Sequence, residues 1–182
     1  MLKKIVVIGP ESTGKSTLCE QLAAHYQTTW VKEYAREYLL THGTNYTYDD
    51  LLTIAKGQLN AEDLAIEGPQ PKTLNPKPQT LFIDTDMYVM KVWCEYVFDR
   101  CHHWILNQIV ERNYDLYLLC NTDLLWVKDE LREYPDPETR GKLYYYYKEA
   151  MVGQEVPWVE ISGNYEERLN KAIDAVDRCI TR

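Results

Sequence analysis

Residues Gly9-Pro-Glu-Ser-Thr-Gly-Lys-Ser16 match the pattern GxxxxGK[ST] in full. Just before them, Lys4-Ile5-Val6-Val7-Ile8 is a short β-branched apolar run that predicts a buried strand. Just after them, Leu18, Leu22 and Ala23 recur at helical spacing and predict a helix that begins at the lysine. Strand, glycine-bounded loop and helix form the context in which this motif cradles phosphate. The loop's backbone N–H groups turn inward on a polyphosphate, and the helix N-terminus adds partial positive charge. Lys15 brings a point charge to the β- and γ-phosphates, and Ser16 offers a hydroxyl to Mg²⁺. The expected nucleotide-binding residues are therefore Gly9, Pro10, Glu11, Ser12, Thr13, Gly14, Lys15, Ser16 and Thr17.

Outward from this loop, strands and helices alternate. Thr28–Lys32 reads as a second strand, Glu33–Leu40 as a helix and Tyr48–Glu67 as a long amphipathic helix. Gly68–Pro78 holds four of the eight prolines and reads as a surface loop. Thr80–Asp84 is a third strand, residues 86–112 are helical with a break near Asp99-Arg100, and Asp115–Cys120 is a fourth strand. Asn121–Leu131 is expected to contain a helical stretch and Arg132–Pro137 a loop. Glu138–Met151 reads as a helix, Pro157–Ile161 as a fifth strand and Glu166–Ile180 as a closing helix. This alternation predicts an α/β fold with a parallel sheet covered on both faces. A chain of 182 residues fits one domain, 1–182. The run Tyr144–Tyr147 must face all sides of its helix, so part of it is core and part surface.

Composition excludes some partners. A net charge of −8 argues against a generic nucleic-acid surface. No apolar run reaches the length of a membrane span, and no signal peptide precedes the first strand, so a cytoplasmic protein is expected. The five cysteines, at positions 19, 94, 101, 120 and 179, show no CxxC spacing and fit reduced thiols.

Several polar residues can carry chemistry. Asp84 ends an apolar strand, where a carboxylate can hold the metal's water shell; it could instead cap the following helix. Asp86 could reach a substrate hydroxyl or serve as that cap. Glu33 ends the second strand, and the carboxyl ends of parallel strands face the ligand crevice, so Glu33 should lie across from the loop. There it can take a proton from an attacking hydroxyl. Tyr34 and Arg36 follow as candidate substrate contacts, the arginine suited to a phosphate or a substrate oxygen. Arg132 and Arg140 flank a polar, proline-containing stretch that reads as a lid over about 131–141, and such arginines can neutralise a transferring phosphoryl group.

Four stretches then line up with one family. They are the loop 9–16, Glu33-Tyr34-Ala35-Arg36-Glu37, Phe82-Ile83-Asp84-Thr85-Asp86, and Trp126-Val127-Lys128-Asp129-Glu130-Leu131-Arg132. The chain resembles the ribosylnicotinamide kinase domain of the bacterial NadR family. The resemblance implies a P-loop kinase of three layers, a five-stranded parallel sheet in the order 2-3-1-4-5 and a mobile lid. It implies ATP-dependent phosphorylation of nicotinamide riboside to nicotinamide mononucleotide, with ATP and Mg²⁺ as cofactors and a small nucleoside-like molecule as partner. Carried to the matching positions, it gives Lys15 and Ser16 the phosphate and Mg²⁺, Asp84 the metal shell and Arg132 the lid. Glu130 stands where the family often has Gly, and Lys32 where an aromatic residue can occur. The family commonly has a helix-turn-helix and an adenylyltransferase domain ahead of the kinase; with a strand opening at Lys3, both are expected to be absent.

Other readings stay open. One is a kinase of another nucleoside or a vitamin precursor. Another is a regulatory P-loop ATPase that gives phosphate only to water. A GTP switch is disfavoured because Asn121-Thr122-Asp123 does not match the guanine-reading Asn-Lys-x-Asp. A nucleoside monophosphate kinase would need more arginines about the acceptor than Arg36 and the lid pair. The choice between Glu33 and Asp86 as base, and the oligomeric state, are not decided by the sequence.

Overall fold

The computed structural model describes residues 2–67 and 80–181. The elements run β1 (Lys3–Ile8), α1 (Lys15–His25), β2 (Trp30–Val31), α2 (Tyr34–His42), α3 (Tyr48–Glu67) and β3 (Thr80–Asp84). They continue with α4 (Met87–Phe98), α5 (His103–Glu111), β4 (Leu116–Cys120), α6 (Pro137–Val152), β5 (Trp158–Ile161) and α7 (Tyr165–Ile180). The surface loop expected at Gly68–Pro78 lies outside the described residues.

The strands pair in parallel in the expected order β2-β3-β1-β4-β5. Their composition requires cover on both sides, because β3 and β4 are buried along their whole length and β1 from Ile5 onward. Alternation along the strand then sorts the side chains. Ile5 and Val7 pack with Leu18 and Leu22 of α1 and Val176 of α7. Val6 and Ile8 pack on the other face with Val89 and Val92 of α4 and Leu143 and Met151 of α6. A third cluster, which includes Leu51 and Ile54 of α3, Met90 of α4 and Ile105 of α5, joins α2–α5 beside the sheet. The expected break between α4 and α5 falls at Asp99, which turns left-handed at φ 54°.

Two expectations need correction. The second strand is two residues long rather than Thr28–Lys32: β2 pairs only with β3, and the Thr28 hydroxyl caps that edge by donating to the Thr80 carbonyl at 2.7 Å. Residues 121–131 contain no helix. Their polar groups go to distant partners instead: the Asp123 carboxylate accepts from the Gly163 amide at 2.6 Å and from Arg168, and the Val127 amide donates to the Ser12 hydroxyl at 3.0 Å. The irregular chain then ends at Asp136, whose side chain caps α6 by accepting from the Thr139 amide at 2.7 Å, with Pro137 in the first turn. The helix expected from Glu138 thus begins one residue earlier, and the later part of the 131–141 stretch belongs to it. The tyrosine run divides as expected, Tyr144 and Tyr147 buried and Tyr145 and Tyr146 exposed.

Leu118 lies fully buried in β4, between β1 and β5. Leu118→Ala should cost about 2–5 kcal/mol, the transfer loss plus the cavity left in a rigid layer. Urea unfolding checks this through a lower midpoint at an unchanged slope.

Candidate functional site

The loop between β1 and α1 is shaped by two glycines. Gly9 adopts φ 139°, and a Cβ there would stand 2.7 Å from the Cys120 carbonyl oxygen, so only glycine lets the loop pass the end of β4. Gly14, at φ 77°, is the left-handed residue from which α1 starts. Within the loop, the Thr13 hydroxyl and the Lys15 ammonium both donate to the Pro10 carbonyl, at 2.7 and 3.0 Å. No acidic side chain occupies the first turn of α1, so its positive dipole end meets the loop without internal compensation. Two buried arginines support the loop. Arg168 of α7 donates to the carbonyls of Thr13, Asn121 and Gly163 at 2.8–2.9 Å, tying the loop to the ends of β4 and β5. Arg140 of α6 donates to the carbonyls of Ser12 and Leu124 at 3.3 and 3.4 Å.

Parallel pairing of Val7 with Asp84 sets the carboxylate beside the loop. Asp84 is fully buried, and its Oδ2 accepts from the Ser16 hydroxyl at 2.5 Å. Its Oδ1 is buried with no hydrogen-bond partner. Burial first, and then the neighbouring Glu33 carboxylate, push the Asp84 carboxyl up to about 7, against the pull of Lys15 and Ser16. A buried carboxylate with one free oxygen, touching a hydroxyl at the mouth of an anion cradle, fits Mg²⁺. Among the described residues no group of three or more His, Cys, Asp or Glu could hold an ion. The cation would therefore draw its other ligands from phosphate and water. Thr85 follows at φ 79°, a sparsely populated conformation for a β-branched residue that costs on the order of 1–3 kcal/mol. Its amide is held by the Val7 carbonyl at 3.2 Å, and its hydroxyl lies 3.5 Å from Glu33 Oε1.

A cleft opens from the loop between α2, α4, α6 and the 131–134 segment. Lys15, Ser16, Glu33, Arg36 and Arg132 line it together. Arg36 is held by a two-pronged pair with Asp129, at 3.1 and 3.2 Å, and Arg132 donates to the Val127 carbonyl. Four expected site residues are not on its wall. Asp84 lies buried behind Ser16, which does line it. The Tyr34 ring packs over Gly57 of α3, close enough that a Cβ there would meet it at 2.1 Å. Asp86 caps α4: Oδ1 accepts from the amides of Tyr88 and Val89, and Oδ2 from the Tyr117 hydroxyl at 2.8 Å. Burial pushes its carboxyl up to about 7, but both oxygens are engaged. Arg140 is 4% exposed and spent on loop carbonyls.

The sequence reading missed the aromatic wall of Trp93, Tyr96, Tyr134 and Tyr147, which lines the cleft together with the loop. Their helical or loop positions resemble ordinary core spacing, and only the packing of α4 against α6 brings them together. Arg168 was also invisible, since a lone arginine on an amphipathic helix reads as a solvated residue.

Fold and site together define a P-loop nucleotide-binding protein of the α/β class. The chain belongs to the family described as AAA domain, which it matches over residues 4–168. It is 28% identical over 180 residues to the trifunctional NAD biosynthesis/regulator protein NadR of Escherichia coli (strain K12). The same identity holds for the NadR protein of Salmonella typhimurium. These alignments cover 96% of this chain but 42% of either relative, so the chain spans about two fifths of their length. Among solved structures, NadR in complex with NR superposes with a TM-score of 0.81 at 24% identity, over 100% of this chain and 50% of that one. NadR in complex with NAD and AMP-PNP gives a TM-score of 0.74 at the same identity and coverage. The resemblance read from the motifs is borne out, as is the strand order.

The raised Asp84 carboxyl gives a signed prediction. Its native value of about 7 exceeds its unfolded value, so its contribution to stability is present at low pH and lost as pH rises toward 7. Asp84→Asn removes that loss. The nucleotide-free variant should gain stability over the parent as pH climbs from about 4 to 7, by on the order of 2–4 kcal/mol, and stay level above. Urea midpoints across pH without Mg²⁺ measure it; a gain that ignores pH would refute the assignment.

Proposed function

We propose that this chain is an ATP-dependent kinase of a small nucleoside-like alcohol, with nicotinamide riboside as the first acceptor to test. The observation that carries this reading is the cleft itself. A P-loop lysine, the Ser16 hydroxyl backed by buried Asp84, and a carboxylate at Glu33 meet in one cleft that aromatic side chains also line. A flat ring can stack on that wall, and a cationic ring gains further from the aromatic faces. The names of the NadR relatives and the NR complex support the same acceptor.

In this reading the loop amides and Lys15 hold the triphosphate, and Ser16 and Asp84 hold Mg²⁺. Bound there, Mg²⁺ would neutralise charge on the β- and γ-phosphate oxygens. Glu33 accepts the proton of the acceptor hydroxyl, because Asp86 has no free oxygen for it. Arg132 meets the charge on the transferring group, while Arg140 supports the loop from behind. Arg36, oriented by Asp129, contacts the acceptor. Residues 1–182 are read as one kinase domain, with the stretch around 131–141 as its lid. The acceptor is a small molecule rather than nucleic acid, in keeping with the net charge of −8. Among the described residues no helix is long and apolar enough to cross a membrane, which suits a cytoplasmic enzyme.

The test is to incubate the protein with ATP, Mg²⁺ and a panel of ribosides and vitamin precursors, and to seek a phosphorylated product by mass. ATP turnover should be slow alone and rise strongly with nicotinamide riboside, since a kinase excludes water until its acceptor is bound. Glu33→Gln should lower that turnover by roughly 10²–10⁴ and leave ATP binding unchanged. Fast hydrolysis that no hydroxyl compound stimulates would establish a regulatory ATPase instead.

A further inference from the structure

Glu11 is the third residue of the P-loop motif, yet a phosphate cradle made of backbone amides has no use for a carboxylate there. A carboxylate shares the sign of its cargo, so close approach is unfavourable. The structure shows what it does instead. Glu11 Oε2 accepts from the Glu133 amide at 3.0 Å, and Oε1 accepts from the Tyr134 amide at 2.6 Å. Two consecutive N–H groups of the segment after Arg132 thus converge on one side chain of the loop. Ser12, the next residue, takes the Val127 amide. Adjacent loop side chains therefore hold both ends of the stretch that carries Arg132.

Glu133 has a second attachment. Its Oε2 accepts from the Tyr46 hydroxyl at 2.9 Å, and that hydroxyl accepts from the Trp93 indole N–H at 2.9 Å. Trp93 belongs to the aromatic wall of the cleft. A continuous path thus runs from the wall through Tyr46 to the Glu133 side chain, and from the Glu133 amide to the P-loop.

We infer that Glu11 is a positioning residue that latches the 131–136 segment onto the P-loop and thereby aims Arg132 into the cleft. Through Glu133 the latch links the aromatic wall to the phosphate site. The latch rests on the hydrogen bonds alone; its consequence for phosphoryl transfer rests on the kinase reading above.

Limited trypsin digestion separates the two. Lys128 is exposed and Arg132 borders the latch, so cleavage after them reports release of the segment. Glu11→Gln keeps one acceptor oxygen and loses the charge; Glu11→Asp keeps the charge and shortens the reach. Both should speed cleavage in the nucleotide-free protein by about tenfold, the scale of weakening a charged acceptor at a partly exposed site, with melting temperature nearly unchanged. With nicotinamide riboside present, both should also send a larger share of ATP to water. Amide hydrogen exchange on the parent protein needs no variant: the Glu133 and Tyr134 amides should exchange at least tenfold more slowly than unbonded surface amides. Unprotected amides, or variant cleavage within twofold of the parent, overturn the latch. Faster cleavage in a protein that phosphorylates no acceptor keeps the latch and rejects the kinase reading.

Discussion

The pairing of Val7 with Asp84 in adjacent parallel strands is the constraint on which the site depends. It brings the end of β3 level with the start of the P-loop, so Ser16 can donate to Asp84 while the other carboxylate oxygen stays free. A slip of one residue would turn Asp84 to the opposite face of the sheet and place Ile83 or Thr85 at the loop. The register is secured by burial, because Ile5–Ile8 and Leu81–Ile83 have no face that could be given to water. Thr85 carries the local cost. Its left-handed backbone is held by the Val7 carbonyl, and the chain turns there from strand into the cap of α4.

Asp84 and Asp86 show how bonding rather than burial separates function from support. Both are buried, and burial raises both carboxyls. Asp86 spends its oxygens on two helix amides and a tyrosine hydroxyl, as a satisfied cap does. Asp84 keeps an oxygen without a partner, a cost that a folded protein tolerates where a ligand supplies the missing bond. The arginines follow the same rule. Buried Arg168 and Arg140 are spent on carbonyls that fix the loop, whereas Arg132 and Arg36 line the cleft.

The irregular stretch 121–136 is held by groups far from it in sequence. Ser12, Glu11, Arg36 and Arg168 contribute hydrogen bonds or ion pairs to Val127, Glu133, Asp129 and Asp123 respectively. Such a segment has few local bonds of its own and can move as these contacts open. Its position over the cleft is consequently a property of the P-loop as much as of its own residues.

The sequence by itself determined the layered fold, the loop and the carboxylate of Asp84 at the end of the strand beside it. These rest on local signals: β-branched runs, the GxxxxGK[ST] spacing, and an acidic residue closing an apolar strand. The long helix at Tyr48–Glu67 and the break at Asp99 were legible for the same reason, since periodicity and turn chemistry are encoded within a few residues. Only the tertiary structure decided that residues 121–131 stay irregular, that Asp86 and Arg140 are supports, and that four aromatic side chains from α4, α6 and the loop before it form one wall. In each case the deciding partner lies tens of residues away. Helical propensity in 121–131 yields to hydrogen bonds with Ser12 and Gly163, and the free or engaged state of a carboxylate is set by Ser16 or Tyr117. A window of sequence has no means of showing such partners.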